Sequence, residues 1–149
     1  MERNQVPRYI IDASVAVKWF IEETDSHRAV KLKELFENGK ADLEAPSLLT
    51  YEVASALRFH PKVKFTLKQL HGAIEALGQM QIVVEPTEAE WAKAFRFSLE
   101  NAISIYDAAY LSLADNRLGK MVTSDAQFLT KLRSAGARQK VVLLSDLTA

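Results

Sequence analysis

The sequence predicts a single α/β domain built on a mostly parallel five-stranded sheet, and three observations predict it. Short apolar runs at 8–12, 42–46, 81–85, 120–123 and 141–144 are separated by segments whose apolar residues recur at helical spacing. The runs show little apolar–polar alternation, the pattern of strands covered by helices on both faces. Every intervening segment is long enough for a right-handed crossover between parallel neighbours. The 149 residues form one domain, 1–149, able to bury roughly 70% of the unfolded chain's surface without a staple.

The elements follow in order. The first strand closes on Asp12, and a helix runs over 13–21. Asp25 or Ser26 caps a second helix, whose apolar face is Ala29, Val30, Leu32, Leu35 and Phe36 and whose stop is Gly39. Pro46 ends the second strand. A helix over 47–59 follows, broken by His60-Pro61. Thr66 with Gln69 and Thr87 with Glu90 have capping-box spacing, opening helices on either side of the β-branched third strand. Ser104 with Asp107 repeats that spacing at the head of a helix over 106–116. A helix over 125–135 separates the last two strands.

Composition narrows the function classes. With 19 basic and 19 acidic residues the net charge is zero, which argues against a protein that coats nucleic acid non-specifically. The average conceals two acid-free stretches. Residues 53–74 carry Arg58, Lys62, Lys64 and Lys68, and residues 126–145 carry Lys131, Arg133, Arg138 and Lys140. Zero cysteines exclude disulfides and thiolate metal sites and fit a reducing, cytoplasmic setting. No apolar leader opens the sequence, and no run is long enough to span a membrane.

Four acids stand at the ends of apolar runs or inside them: Asp12, Glu52, Asp107 and Asp125. Three have structural alternatives. Asp12 and Asp125 each precede a helix and can cap it, and Asp107 can complete a capping box. Glu52 has no such role. Its helical neighbours are Leu48, Leu49, Ser55 and Ala56, which place it on the core side with no nearby cation. In open parallel sheets, ligands bind beyond the carboxyl ends of the strands. If the first and fourth strands are neighbours, Asp12 and Asp125 face one crevice. Carboxylates about 4 Å apart repel by roughly 4 kcal/mol at an effective dielectric near 20, and a divalent cation relieves that. Oxygen-only ligands favour Mg²⁺ or Mn²⁺ over Zn²⁺, and such an ion acidifies water for attack on a phosphodiester.

Four blocks carry a resemblance: Ile10-Ile11-Asp12-Ala13-Ser14, Tyr51-Glu52-Val53, the run from Tyr106-Asp107-Ala108 to Leu113-Ala114, and Val122-Thr123-Ser124-Asp125-Ala126-Gln127-Phe128. In order, spacing and context they resemble the signature blocks of PIN-domain nucleases, and within them the VapC-type toxins of prokaryotic toxin–antitoxin pairs. The resemblance runs from about Tyr9 to Leu144. It implies a PIN-like α/β/α sandwich with a five-stranded parallel sheet whose first and fourth strands are central neighbours. It implies a ribonuclease dependent on one or two Mg²⁺ or Mn²⁺ ions. Asp12 and Asp107 would be direct ligands, with Glu52 and Asp125 binding directly, through water or at a second position. Ser14 and Thr123 match hydroxyls that support the acids or contact phosphate. It further implies an RNA substrate, a homodimer and a cognate antitoxin protein. With water as attacker, the products carry a 5′-phosphate and a 3′-hydroxyl.

Other residues complete the expectations. Arg58 and Lys62 are assigned to the RNA backbone. Lys18 is assigned to the surface, Trp19 and Phe20 to the core, Tyr106 and Tyr110 to packing, and His27, His60 and His71 to the surface. Three alternatives remain. One is a PIN-type RNA-processing nuclease that is not a toxin. Another is a binding module with the pocket but no turnover. The third is a phospho-acceptor signalling module, which needs an Asp after a middle strand and a Lys after the last. Here Pro46, Pro86 and Ser145-Asp146 follow the second, third and fifth strands instead.

Overall fold

Ile10 and Ile11 are fully buried, and they set strand β1 (Arg8–Ile11) at the centre of the sheet. The computed structural model describes residues 5–148, so the reading of the first residues as lacking an apolar leader falls largely outside them. Strands β2 (Asp42–Pro46) and β4 (Lys120–Thr123) flank β1, with β3 (Val83–Val84) and β5 (Val141–Leu143) at the edges. The order is β3-β2-β1-β4-β5 and every pairing is parallel. The chain winds outward from β1 to β3, then returns to β4 on the other side of β1. The winding therefore reverses between β1 and β4, where a ligand crevice is expected. The third strand is shorter than the run 81–85 because Gln81 adopts a left-handed φ of 56°.

Eight α-helices flank the sheet among the described residues: α1 (Ala13–Ala16), α2 (Ser26–Glu37), α3 (Leu48–Arg58), α4 (Leu67–Gln79), α5 (Glu88–Asn101), α6 (Ile105–Asn116), α7 (Ala126–Lys131) and α8 (Ala135–Arg138). The result is an α/β/α sandwich. Helix α6 is its spine. Residues 108–114 are all buried, and Ala108, Ala109 and Ala114 let the helix lie close to the neighbouring layers. No described helix is long and apolar enough to cross a membrane.

Several local expectations are corrected. The first helix does not reach residue 21. After Ala16 it tightens into a 3₁₀ turn, Val17–Trp19. Lys18 is 9% exposed, not a surface side chain. Its ammonium donates to Glu23 Oε1 at 3.1 Å and to the Thr24 carbonyl at 2.7 Å, tying down the loop that follows. Trp19 and Phe20 pack against the core as expected, and Trp19 Nε1 donates to the Ala29 carbonyl at 2.8 Å. Asp25 is the N-cap residue of α2, but without a side-chain cap bond. It lies at φ 65° and pairs with Arg28, while the Ser26 hydroxyl turns inward to the Ile21 carbonyl. The helix expected over 125–135 is split, because Asn101 Oδ1 accepts the amides of Arg133 (2.8 Å) and Ser134 (2.9 Å) and captures the chain between α7 and α8. Gly39, at φ 70°, stops α2 as expected.

Candidate active site

Three short connections at the carboxyl edge of the sheet build the site. The Asp12 amide extends the β1–β4 ladder by donating to the Val122 carbonyl at 3.3 Å. Its carboxylate then meets donors from both strands' ends. Oδ1 accepts from Ser14 Oγ at 2.5 Å and from the Val15 amide at 3.3 Å, and Oδ2 accepts from Thr123 Oγ1 at 2.5 Å. The second of these bonds is the N-cap of α1, so capping and site duties coexist on one residue. Ser14 Oγ in turn accepts the Ser124 amide (2.8 Å), and Thr123 Oγ1 accepts the Asp125 amide (3.1 Å). Asp12, Ser14, Thr123 and Asp125 thus form one cross-strand network. Burial pushes the Asp12 carboxyl up to about 6; the Ser14 and Thr123 hydroxyls and the Val15 amide oppose the rise, and the Glu52 charge adds to it.

Glu52 comes to the same place on α3, whose core face is Leu49, Val53 and Leu57. The partner it lacks in sequence is not a cation. The Tyr110 hydroxyl donates to its Oε1 from α6, across 58 residues. Tyr110 is 2% exposed. Its phenol is driven well above its usual range by burial and by the bond to Glu52, with the charges of Glu52, Asp12 and Asp107 acting in the same direction. It therefore stays a donor throughout the physiological range, and it senses three of the four acids at once.

Asp107 opens α6. Its amide donates to Ser104 Oγ at 3.0 Å. The reciprocal carboxylate-to-amide bond, present in the boxes at Thr66–Gln69 and Thr87–Glu90, is not among those made here. The structural alternative for this carboxylate is thus only half taken. Burial raises its pKa, the Ser104 hydroxyl and Lys131 oppose the rise, and Asp125 adds to it. Asp125 is exposed and caps α7, accepting the Phe128 amide at 3.1 Å.

The Glu52 charge acts on the Asp12 carboxyl, the Asp125 charge acts on that of Asp107, and Glu52, Asp12 and Asp107 all act on the Tyr110 phenol. None of the four acids takes part in any ion pair found among the described residues. No three His, Asp or Glu among those residues enclose a point as a metal cage does. An open set of oxygen donors fits a hard ion such as Mg²⁺, which keeps several waters and takes only one or two carboxylates. A carboxyl held near 6 chiefly by burial, with no cationic partner beside it among the described residues, fits it as well.

Arg58 and Lys62 are exposed, Arg58 nearly two helical turns along α3 from Glu52. Tyr106 does not pack in the core. It is 61% exposed and borders an apolar groove of about 220 Å³ with Tyr51, Trp91, Leu48 and Ile105. The sequence reading missed the role of Tyr110. Its signal is its position three residues after Asp107, on a helix whose other inward positions are aliphatic or small.

Comparison with known proteins bears on the family and the fold. The family model for the PIN domain matches residues 9–131. Ribonuclease VapC3 of Pyrobaculum aerophilum is 28% identical over 127 residues, covering 83% of this chain and 94% of the relative. Among solved structures, VapBC2 of Rickettsia felis bound to a DNA fragment from its promoter superposes with a TM-score of 0.64 at 12% identity, covering 91% of this chain and 96% of that one. Mycobacterium tuberculosis VapC20, described as a sarcin-ricin loop cleaving toxin, gives 0.60 at 13% identity, covering 85% and 99%. At these identities the superpositions speak for the fold.

Proposed function

The chain belongs to the PIN domain family, and on that premise we propose that it is an endoribonuclease. It hydrolyses RNA phosphodiester bonds with one or two Mg²⁺ or Mn²⁺ ions held by Asp12, Glu52, Asp107 and Asp125, and it serves as the toxin of a toxin–antitoxin pair. The observation that carries the reading is the Asp12 carboxylate, fixed by hydroxyls from two adjacent strands and pushed to about 6 with no cationic partner. Ser14 and Thr123 lock its orientation, and Tyr110 locks that of Glu52. Asp107 keeps most of its acceptor capacity free at the mouth of the crevice. A bound cation supplies stabilisation of the charge developing on the phosphate and acidifies water for attack. The bond from phosphorus to the 3′ oxygen breaks, the 3′ oxygen leaves as a hydroxyl, and the phosphate remains on the 5′ end. The ribonuclease name of the Pyrobaculum relative supports RNA as the substrate.

The partners follow from surface chemistry and from relatives. The Rickettsia protein is described as VapBC2, which supports a cognate antitoxin here. Trp91, Phe95 and Leu99 lie four residues apart on α5 and are all exposed, Leu99 by 84%. The Trp91 and Phe95 rings lie 6.3 Å apart, tilted by 38°, and Trp91 borders the groove that Tyr51 and Tyr106 share. A stripe this apolar suits a homodimer interface. Leu99→Glu is expected to halve the molecular weight measured by sedimentation; an unchanged weight overturns the assignment.

The function is tested with the purified protein and a pool of unstructured RNA. Cleavage is expected with Mg²⁺ or Mn²⁺, to be abolished by EDTA and to leave 5′-phosphate ends. Products ending in a 2′,3′-cyclic phosphate, or cleavage insensitive to EDTA, would exclude this chemistry.

A further inference from the structure

Beyond the acids, the end of α3 and the loop after it carry a group of features that the metal chemistry does not use. Residues 53–74 contain no acid. Arg58, Lys62, Lys64 and Lys68 are exposed there, and none joins an ion pair among the described residues. Phe59, at the C-terminal cap of α3, is 71% exposed. The Arg58 guanidinium carbon lies 4.7 Å from the centroid of its ring. His60 Nδ1 accepts the amides of Lys62 (3.2 Å) and Val63 (3.0 Å), which fixes the turn that displays the lysines.

Helical register connects this group to the site. Leu49, Val53 and Leu57 face the core, so Glu52, Ser55, Ala56 and Phe59 share another stripe at i, i+3, i+4 and i+7. Seven residues advance about 10 Å along the axis and return to within about 20° of the same direction. Ser55 and Ala56 are exposed and small, so along the helix nothing bulky stands between the Phe59 ring and Glu52.

We propose that Phe59 is a stacking platform for an unpaired RNA base next to the scissile bond. Arg58 braces one side of the ring, and Lys62, Lys64 and Lys68 neutralise phosphates. The proposal rests on the ribonuclease reading and deepens it, because it names the side chain on which an unpaired base is held. In a duplex the base faces are already stacked on one another, whereas an unpaired base offers its face to an aromatic ring. The separation of about 10 Å lies within the footprint of even a short single-strand site of roughly 4 nucleotides. An acidic protein segment would match the charge but gains little from a flat ring paired with guanidinium. RNA gains from both.

The test uses the full chain carrying Asp12→Asn, so that RNA is bound and not consumed. A single-stranded oligoribonucleotide containing 2-aminopurine is compared with its duplex by anisotropy and by fluorescence quenching. Phe59→Ala is expected to weaken single-strand binding about 10-fold and abolish the quenching, while Phe59→Trp holds affinity within about twofold of Phe59. Duplex binding falls little. Lys62→Ala lowers the salt dependence of both by about one unit of slope. Equal single-strand binding by Phe59→Ala overturns the platform and leaves the nuclease reading standing. So does an equal loss on duplex, or a loss confined to an acidic peptide tested in parallel. A parent protein that neither binds nor cleaves RNA overturns both.

Discussion

Asp12→Asn is expected to reduce RNA cleavage by on the order of 10³ or more, because it removes the central anion of the proposed metal site, and at neutral pH to make the protein more stable. The sign follows from the carboxyl's position near 6 against an unperturbed 3.8. Below about pH 4 the group is protonated in both folded and unfolded chains and contributes nothing. Between about 4 and 6 the unfolded chain ionises first, so the native state holds the extra proton and stability falls as pH rises. Above 6 both are ionised and the full penalty, up to roughly 3 kcal/mol, remains. Asparagine caps α1 as well as aspartate does. It leaves one of the Ser14 and Thr123 hydroxyl bonds weakened, a loss of about 1 kcal/mol. The net gain near pH 7.5, about 1–2 kcal/mol, raises the melting temperature by roughly 3–6 °C for a chain of this size. At pH 4 the gain disappears. Mg²⁺ should stabilise the parent at pH 7.5 through binding to the native state alone and should have little effect on the variant. Melting curves across pH, with and without the ion, check each limb. A variant that cleaves normally, or melts lower at pH 7.5, removes Asp12 from the centre of the site.

Three of the four acids stood out in the sequence because they sit at the boundary of an element that local pattern defines; Glu52 lies inside α3. Asp12 ends an apolar run and Asp107 and Asp125 open helices, whereas the expectation that Glu52 faces the core is corrected: the core stripe of α3 is Leu49, Val53 and Leu57, and Ser55 and Ala56 beside Glu52 are exposed. The β1–β4 adjacency that joins them is topological, and it came from the resemblance of the four blocks, not from periodicity. The two full capping boxes were readable for the same reason as the acids, since three residues suffice to make one. Contacts that close over long separations were not readable. Tyr110 reaches Glu52 across 58 residues, and Asn101 reaches Ser134 across 33. Lys18 illustrates a nearer failure. Its partners are only five and six residues away, but the loop that brings them back has no periodic signature. Glu90 was read as half of a capping box, which it is. Its other attachments lie at the opposite edge of the sheet from the site, and they matter more for stability.

Those attachments set the second large expectation, a loss of about 3–5 kcal/mol of folding stability in Arg117→Ala. Glu90 is 1% exposed. Arg117 grips it with two donors, Nε at 2.7 Å and Nη2 at 3.0 Å, while Nη1 reaches Glu44 at 2.5 Å. Asn116 and the Thr87 amide fill the remaining acceptor sites on Glu90. Arg8 continues the chain to β1, pairing with Glu44 at 2.8 Å and donating to the Arg117 carbonyl at 2.9 Å. One guanidinium therefore ties α5, the end of α6 and β2 together. Removing it leaves a carboxylate that is buried, charged and unpaired, which costs far more than losing an exposed ion pair. The pH dependence of the parent supports the same origin. The Arg117 hydrogen bonds chiefly hold Glu90 down to about 2 from 4.5. Its contribution is complete above about pH 4.5 and is lost as pH falls toward 2. In Arg117→Ala that acid limb should flatten, because Glu90 then gains by taking up a proton. The variant Glu90→Gln/Arg117→Met removes both charges and should recover much of the loss, since uncharged side chains of similar size relieve the buried anion. Urea denaturation at pH 7 and pH 3 measures all three proteins. A loss below about 1 kcal/mol in Arg117→Ala, the size of a surface pair, would mean that water reaches Glu90 and that the network does not hold the edge of the sheet together.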